Sequence, residues 1–331
     1  MRRSFLLLFL SAVVVGLLGW AIAMTRWPFK GYTAGEQFVV IQPGSSALAI
    51  GRDLEHQGVI RNARIFWSYL RWKGQAGRLR AGEYRFDAPT TLAQVAARIV
   101  AGDVYRRKVT IPEGFALDEI ADLLAREVLP DRTAWTEAMA RAQMVADLDS
   151  RAQNLEGYLF PATYYYTRQT TPAQLIDAMV SNFRKRFSEA DRSRAAELGM
   201  TVREAITLAS LIEKETGQDS ERELVSAVYH NRLKKRMLLQ CDPTVIYAVK
   251  RVKAYDNVIN QSDLQLDSPY NTYKVAGLPP GPIANPGIKS IHAALYPAAT
   301  DYLYFVSRND GTHVFSKELG QHHEAVQQHQ R

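Results

Sequence analysis

The sequence is poor in the residues that build disulfide, metal and phosphate sites. Its 331 residues include one cysteine, Cys241, which excludes an internal disulfide framework and any metal site with several cysteines. His322 and His323 are adjacent, and a helix does not place adjacent residues on one face, so we predict no metal there. A phosphate-binding glycine loop and a G-x-S-x-G elbow are also lacking. The sequence therefore predicts neither a metal nor a cofactor, and a nucleophilic Cys241 would need a histidine base supplied by the fold.

Long apolar runs are equally scarce. Residues 4–24 form the one long uncharged stretch, and a helix of that length spans the core of a bilayer. Arg2 and Arg3 precede it, which places the N-terminus in the cytoplasm. The sequence Ala21-Ile22-Ala23 leaves a cleaved signal peptide as the alternative. Because no second run of comparable length follows, we predict that the rest of the chain lies on the far side of one membrane.

The remaining composition is that of a folded protein. Hydrophobic residues make up 47% and charged residues 23%, which argues against disorder, and the length allows two domains. The net charge of +7 permits an anionic partner, such as a membrane surface or an acidic polymer, without requiring one. We predict no nucleic-acid partner.

The first half of the chain contains an imperfect repeat. The sequence V-x-I-x-P-G from Val39 precedes a predicted helix at 47–57 and is echoed by V-x-I-P-x-G from Val109. Each copy predicts a strand, a turn and a helix, and two copies are too few for a solenoid. The half resembles a LysM-like cell-wall-binding module over Phe38–Arg107. The alternative is a structural α/β spacer that holds the active part away from the membrane.

A predicted helix in the second half ends in two glutamates. It begins near Thr201, which forms a capping box with Glu204, and continues into the segment T-L-A-S-L-I-E-K-E-T at 207–216. Glu213 and Glu215 both follow apolar stripes, where desolvation favours the protonated carboxyl. Such an acid can protonate the leaving oxygen of a glycosidic bond. The alternative is a helix end with one buried cap and one solvated charge.

Two other segments suggest a groove for a polyhydroxylated substrate. The stretch that opens with Glu156-Gly157-Tyr158 has the composition of a sugar-stacking groove or, alternatively, of an aromatic core corner. The proline-rich run at 277–287 predicts a rigid loop that shapes a cleft. An ordinary glycosidase uses two carboxylates. The candidates for the second are Glu156, Glu213 and Asp242.

Six motifs follow one another along the second half of the chain. They read E-G-Y-L-F-P at Glu156, A-S-L-I-E-K-E-T at Ala209, N-R-L at Asn231, Q-C-D-P-T-V-I-Y at Gln240, S-P-Y-N-T-Y at Ser268 and G-L-P-P-G-P-I-A-N-P-G at Gly277. Together they resemble the endolytic murein transglycosylases, the MltG or YceG-like family, over nearly all of the chain. The resemblance implies an α+β fold with three parts. These are a cytoplasmic tip and single transmembrane helix at 1–30, a small LysM-like α/β module at 36–107 and a mixed α+β catalytic domain at 108–331.

The same resemblance implies a lyase reaction on peptidoglycan. One glutamate protonates the oxygen leaving N-acetylmuramic acid and then takes a proton from the C6 hydroxyl of that sugar, which closes a 1,6-anhydro ring. In the family the acid is the second glutamate of E-K-E, here Glu215, although helical spacing alone does not separate it from Glu213. The implied substrate-binding residues are Glu156, Tyr158, Glu213, Asn231, Gln240, Asp242, Thr244, Tyr270, Asn271 and Thr272.

Two positions depart from the family pattern. Cys241 stands where threonine is common, and His323 stands where asparagine is usual, which leaves the local hydrogen bonds open. The resemblance further implies a single-pass protein of the bacterial inner membrane with a periplasmic catalytic domain. Its expected partners are peptidoglycan glycan strands, whose length it limits, the membrane and peptidoglycan synthases. The alternatives are a muramidase that hydrolyses glycan with Glu215 and either Glu156 or Asp242, and a wall-binding scaffold without activity.

Overall fold

The structure, a computed structural model, describes residues 12–13, 15–16, 19–20 and 22–330. The chain divides into two compact units, Met1–Arg107 with Tyr165–Thr170, and Lys108–Tyr164 with Thr171–Arg331. Helices and short strands occur in both, which confirms the predicted mixed α+β class.

The predicted transmembrane helix at residues 4–24 lies mostly outside the described residues. Within the ranges that the structure describes, no helix is long and apolar enough to cross a membrane. The membrane span therefore stays a prediction.

Over residues 37–101, the first unit combines a two-stranded antiparallel sheet with three helices. Its elements are β1 (Gln37–Ile41), α1 (Ala47–His56), α2 (Ala63–Trp72), β2 (Gly82–Phe86) and α3 (Leu92–Ala101). The register of β1 and β2 places Val39 opposite Tyr84, and both side chains are fully buried. Because side chains alternate along a strand, these two belong to the face that packs on the helices. Helix α3 begins at a capping box formed by Thr91 and Gln94.

The second unit is mostly helical. The elements that follow α3 along the chain are β3 (Arg107–Thr110), α4 (Leu117–Glu127), α5 (Arg132–Met139), β4 (Thr163–Tyr166), α6 (Pro172–Arg186), α7 (Glu189–Glu197), α8 (Val202–Glu215), α9 (Arg222–Lys234), α10 (Asp242–Lys250), α11 (Gln261–Leu264), α12 (Ile288–Leu295), β5 (Tyr304–Ser307), β6 (His313–Ser316) and α13 (Leu319–His329). In the part of the chain that the structure describes, the strands form three two-stranded sheets, β1 with β2, β3 with β4 and β5 with β6. The predicted strand–turn–helix repeat is confirmed, since β1 leads into α1 and β3 leads into α4.

One predicted helix is wrong. The sequence around Trp135 predicts a single helix to Asp149, but α5 ends at Met139 and a separate 3-10 turn spans Ala142–Val145. Arg141 between them has a ψ of 64°, outside the helical range, and so breaks the run.

Helix α8 forms the centre of the second unit. Its eight consecutive residues Ala205–Ile212 are all buried, as expected for a helix surrounded by other elements. It packs against α9, α10 and α12. The predicted capping box is confirmed, because the Thr201 hydroxyl accepts from the Glu204 amide at 3.2 Å and the Glu204 carboxylate accepts from the Thr201 amide at 2.8 Å. The chain turns to an extended backbone at Thr216, so the two glutamates occupy the last turn.

The proline-rich loop at 277–287 is anchored by Asn285, which is fully buried. The side-chain oxygen of Asn285 accepts from the Leu159 amide at 2.8 Å. Its amide nitrogen donates to the Phe115 carbonyl at 2.9 Å and to Glu156 at 3.1 Å. The same loop reaches the central helix, where the Ile283 amide donates to the Ser210 hydroxyl at 3.1 Å. These bonds fix the loop against the core, as the sequence predicts for a rigid segment.

Candidate functional site

A cavity of about 420 Å³ lies at the C-terminal end of α8. Side chains from α8, α9, α10, the β5–β6 hairpin and α13 surround it. The lining residues are Glu215, Arg232, Leu239, Gln240, Asp242, Tyr273, Phe305, Val306, Ser307, His313, His322, Val326 and Gln330. Glu215, Gln240 and Asp242 are the three sequence-predicted site residues in this set.

The carboxyl group of Glu215 is held by one of its two oxygens. Its Oε2 accepts a hydrogen bond from the Tyr229 hydroxyl at 3.1 Å and one from the Cys241 thiol at 3.4 Å. No hydrogen bond from the described residues reaches Oε1. Burial raises the pKa of Glu215, the two donors oppose this shift, and the nearby charge of Asp242 adds to it. The result is an oriented carboxyl group that retains its proton to higher pH than an ordinary glutamate.

Two buried threonines hold the backbone of the segment that carries Cys241 through hydrogen bonds. The Cys241 amide donates to the Thr272 hydroxyl at 2.9 Å, and the Thr244 hydroxyl donates to the Cys241 carbonyl at 2.7 Å. Gln240 has a φ of 52°, and its amide donates to the Thr272 carbonyl at 3.1 Å. Asn271 uses its side-chain amide to hold the carbonyls of neighbouring loop residues. The predicted binding residues Thr244, Asn271 and Thr272 are thus buried supports that do not line the cavity.

Asp242 is the second carboxylate of the cavity. It is the first residue of α10, and Pro243 at the helix start favours this position. The hydroxyl of Tyr273 donates to its Oδ1. Tyr273 is a lining residue that our sequence reasoning missed, although it is the last letter of the S-P-Y-N-T-Y motif.

The cavity is also lined by basic side chains. Arg232 is buried on α9, and His313 on β6 contacts the Glu221 carboxylate through Nδ1 at 2.7 Å. His322 on α13 stacks against Tyr304 with 5.2 Å between ring centroids. Burial lowers the pKa of His322, and the charge of Arg232 lowers it further. The sequence signal for Arg232 is the N-R-L motif, in which the family resemblance implies a binding role for the asparagine alone.

Glu213 lies in different surroundings from Glu215, although both occupy the last turn of α8. Its Oε1 is 3.4 Å from Nη1 of Arg222, and both side chains are 7% exposed. Its Oε2 accepts from the Gly287 amide at 2.9 Å, immediately before α12 begins. Glu213 is therefore a buried ion-pair partner that ties α8 to the start of α12, and it does not line the cavity of Glu215.

Three more predicted binding residues also lie away from this cavity. The Asn231 side chain donates to the carbonyls of Thr300 and Tyr302, each at 2.9 Å. Tyr158 is buried and its hydroxyl donates to Asp149 at 2.8 Å, so it belongs to the core. Tyr270 packs against Tyr247 with 5.0 Å between ring centroids. The aromatic core corner that the sequence left open for Tyr158 is the arrangement observed.

Glu156 lines a separate cavity of about 440 Å³ together with Lys214 and Arg251. Its carboxyl accepts from the Leu117 amide at 3.3 Å and from the Tyr247 hydroxyl at 3.2 Å. Burial nevertheless raises the pKa of Glu156 to about 8. Since Glu156 and Glu215 line different cavities, Asp242 is the carboxylate that shares a cavity with Glu215.

The cavity thus offers one oriented acid, a neighbouring carboxylate and a buried cation. A carboxyl group whose free oxygen faces a cavity can donate a proton to a bound substrate and later accept one.

Comparison with known proteins identifies the family to which this chain is similar. A family model described as the YceG-like family matches residues 39–328.

Two curated relatives carry the same name, endolytic murein transglycosylase. The protein of Bacillus subtilis strain 168 is 37% identical over 305 residues, covering 87% of this chain and 83% of the relative. The protein of Streptococcus pneumoniae serotype 2 is 31% identical over 320 residues, covering 88% of this chain. The present chain spans 58% of the length of that pneumococcal relative.

A solved structure is similar as well. The crystal structure of a YceG-like protein from Listeria monocytogenes superposes with a TM-score of 0.60 at 35% sequence identity. The match covers 88% of this chain and 98% of the Listeria chain. Family model, curated relatives and solved structure therefore agree over most of the chain.

Proposed function

The chain belongs to the YceG-like family, and from that premise we propose that it is an endolytic murein transglycosylase with Glu215 as its catalytic acid. The observation that carries this proposal is the geometry of the Glu215 carboxyl. Oε2 is occupied by Tyr229 and Cys241, while Oε1 is left for the substrate. The names of the two curated relatives support the reaction class.

The proposed reaction is a lyase reaction in which Glu215 acts twice. Oε1 carries the proton and gives it to the oxygen that leaves N-acetylmuramic acid. The resulting carboxylate then removes the proton from the C6 hydroxyl of that sugar, whose oxygen attacks C1 and closes a 1,6-anhydro ring. No water is consumed. Glu215 gives up one proton in the first step and regains one in the second, so its protonation state is restored. Burial supports the first step, because it raises the pKa of Glu215 and so favours the protonated carboxyl.

A muramidase that hydrolyses the same bond is the second candidate, because Asp242 shares the cavity. In that reaction Asp242 would activate a water molecule or attack C1, and the product would end in a reducing sugar. Glu156 does not fit this role, since it lines a different cavity.

Product analysis by mass spectrometry separates the two reactions. We expect 1,6-anhydro ends from the wild-type protein, and reducing ends would refute the lyase mechanism. Glu215→Gln should lower turnover by about 10²–10⁴-fold while the fold is retained. Glu137→Gln is the matched control, because it makes the same chemical change at an exposed position on α5 that does not line the cavity. Equal turnover of Glu215→Gln and wild type would refute the assignment of the acid.

We further propose that residues 4–24 anchor the protein in the bacterial inner membrane, with the catalytic part in the periplasm. The uncharged stretch and the preceding arginines support this topology. In this setting the enzyme would cut nascent strands and limit their length beside peptidoglycan synthases. The LysM-like assignment of 36–107 stays part of the same proposal. A protease-protection assay on membrane vesicles tests the topology, and release of the full-length chain by a salt wash would contradict the anchor.

A further inference from the structure

Arg232 is a buried cation whose hydrogen bonds provide no negative charge. The residue is 7% exposed. Its Nε donates to the Leu303 carbonyl at 2.6 Å, and its Nη1 donates to the carbonyls of Leu238 at 3.3 Å and Leu239 at 2.8 Å. A carbonyl has a dipole but no net charge. Nη2 makes no hydrogen bond to the described residues.

Glu215 is an acid whose charge acts on Arg232, but burial raises the pKa of Glu215, and in its protonated form it provides no counter-charge. A guanidinium is not deprotonated in proteins, so the buried side chain stays charged. The ring of Tyr304, 5.3 Å from the guanidinium carbon, stabilises the cation through its π face but provides no counter-charge. An uncompensated buried charge is unfavourable, which makes a functional reason for it the natural expectation.

The guanidinium belongs to the cavity that holds Glu215. The other basic groups there are less suited to an anion. His313 is already paired with Glu221, and burial together with the charge of Arg232 lowers the pKa of His322. Arg232 is therefore the fixed positive charge of the cavity that holds the acid.

We propose that Arg232 binds a carboxylate on the substituent of the N-acetylmuramic acid that Glu215 protonates. A guanidinium recognises a planar carboxylate through charge-assisted hydrogen bonds, and Nη2 is the nitrogen still free to make them. This inference rests on the proposed function and adds a specificity element to it. N-Acetylglucosamine lacks the lactyl substituent, so Arg232 would select which of the two alternating sugars lies at the acid.

The carboxylate has two sources in the polymer. In strands stripped of peptide it is the free carboxyl of the lactyl group, and in intact strands the peptide attached to that group carries its own carboxylates. Both sources present the same chemistry to Arg232. The test must therefore use both kinds of strand.

Binding to the Glu215→Gln variant measures this recognition without cleavage. The ligands for isothermal calorimetry are intact strands, peptide-stripped strands, and each of these after conversion of its carboxylates to methylamides. We expect amidation to weaken binding by about ten- to a hundredfold for at least one kind of strand, which identifies the source of the carboxylate. Unchanged affinity after amidation of both kinds would overturn the proposal, and Arg232 is intact throughout this comparison.

Variants of Arg232 in the Glu215→Gln background provide the second arm. Arg232→Gln should bind native and amidated strands with the same low affinity, and Arg232→Lys should recover part of the preference for native strands. Lys235→Gln is the matched control, because it removes one exposed positive charge at the end of the same helix. If Lys235→Gln weakened binding as much as Arg232→Gln, the attraction would be a general effect of net charge and the proposal would fail. Absence of 1,6-anhydro ends from the wild-type enzyme would instead refute the proposed function and leave these affinities interpretable.

Discussion

Replacing Tyr229 with phenylalanine removes one hydrogen-bond donor from the acid and keeps the ring. The hydroxyl of Tyr229 lies 3.1 Å from Oε2 of Glu215. The ring packs edge-on against Phe305 with 6.0 Å between centroids, and phenylalanine preserves that contact. The perturbation is therefore confined to the polar groups at the acid, which are the Glu215 carboxyl and the Cys241 thiol.

The expected size follows from the strength of the lost bond. A hydrogen bond to a charged group contributes about 1.5–3 kcal/mol, and one pKa unit corresponds to about 1.4 kcal/mol. Because the Tyr229 hydroxyl favours the ionised form of Glu215, its removal should raise the pKa of that carboxyl, and the strength of the lost bond sets the size of this effect. The acid must be protonated to act, so the rate falls as the pH rises through this pKa. The alkaline limb of the pH–rate profile should therefore move upward in Tyr229→Phe.

The assay is kcat/KM on peptidoglycan strands, measured across pH in wild type and variant. Tyr164→Phe is a suitable control, since it removes another buried hydroxyl that donates to the Phe160 carbonyl and not to Glu215. We expect the alkaline limb of the control to coincide with that of the wild type. A limb that stays in place or moves downward in Tyr229→Phe would refute the assignment of Glu215 as the group whose proton limits the rate.

Three other substitutions test neighbouring carboxylates. Asp242→Asn removes a negative charge that raises the pKa of Glu215, so the alkaline limb should move downward, and an upward shift in the same rate assay would contradict the electrostatics. In the folded protein the pKa of Glu156 is about 8, whereas the free side chain has a pKa of 4.5. The folded state therefore binds a proton that the unfolded state has lost, and the protein should lose stability as the pH rises between these values. The free energy of unfolding should fall by about 1.4 kcal/mol per pH unit in this range, and Glu156→Gln should lack this dependence. Urea unfolding at pH 5 and pH 8 measures both proteins, and an equal pH dependence in the two would refute the role of Glu156. Glu213→Gln leaves Arg222 with the more exposed Asp219 as its charged partner, so urea unfolding should show a loss near the lower end of about 3–5 kcal/mol, and an unchanged midpoint would contradict the role of the ion pair.

Local signals in the sequence were sufficient for much of the fold. The capping box at Thr201 is one example, and the residues Asn309-Asp310-Gly311, which predict a hairpin between two short strands, are another, because both depend on neighbours along the chain. In the structure Asn309 and Gly311 have positive φ values of 62° and 85°, and β5 pairs with β6 around them. Features of this kind are readable because the chain segment that forms them also contains their cause.

The site was less readable because its geometry comes from distant segments. Glu213 and Glu215 occupy one helical turn, and the spacing did not separate them. Arg222 and the amide of Gly287 bind the first, whereas the second faces the cavity. The spacing of apolar residues within α8 does not indicate which of the two glutamates faces the cavity.

The adjacent residues Asn231 and Arg232 illustrate the same limit. The motif drew attention to the asparagine as a groove residue, yet its amide binds the carbonyls of Thr300 and Tyr302. The arginine beside it lines the cavity of Glu215. Which of two polar neighbours reaches a site depends on the tertiary position of α9, which the motif does not encode.

The anchoring of the proline-rich loop by Asn285 has a consequence for how the protein is made. The partners of this side chain at Leu159 and Phe115 are 126 and 170 residues away in the sequence. During synthesis these earlier segments leave the ribosome long before Asn285 exists, and their amide and carbonyl must wait for it. Contacts over such separations slow folding and favour completion late in synthesis. A chain that stops before residue 285 should therefore be a target for proteases, however complete its copy of α8 and the acid at its end.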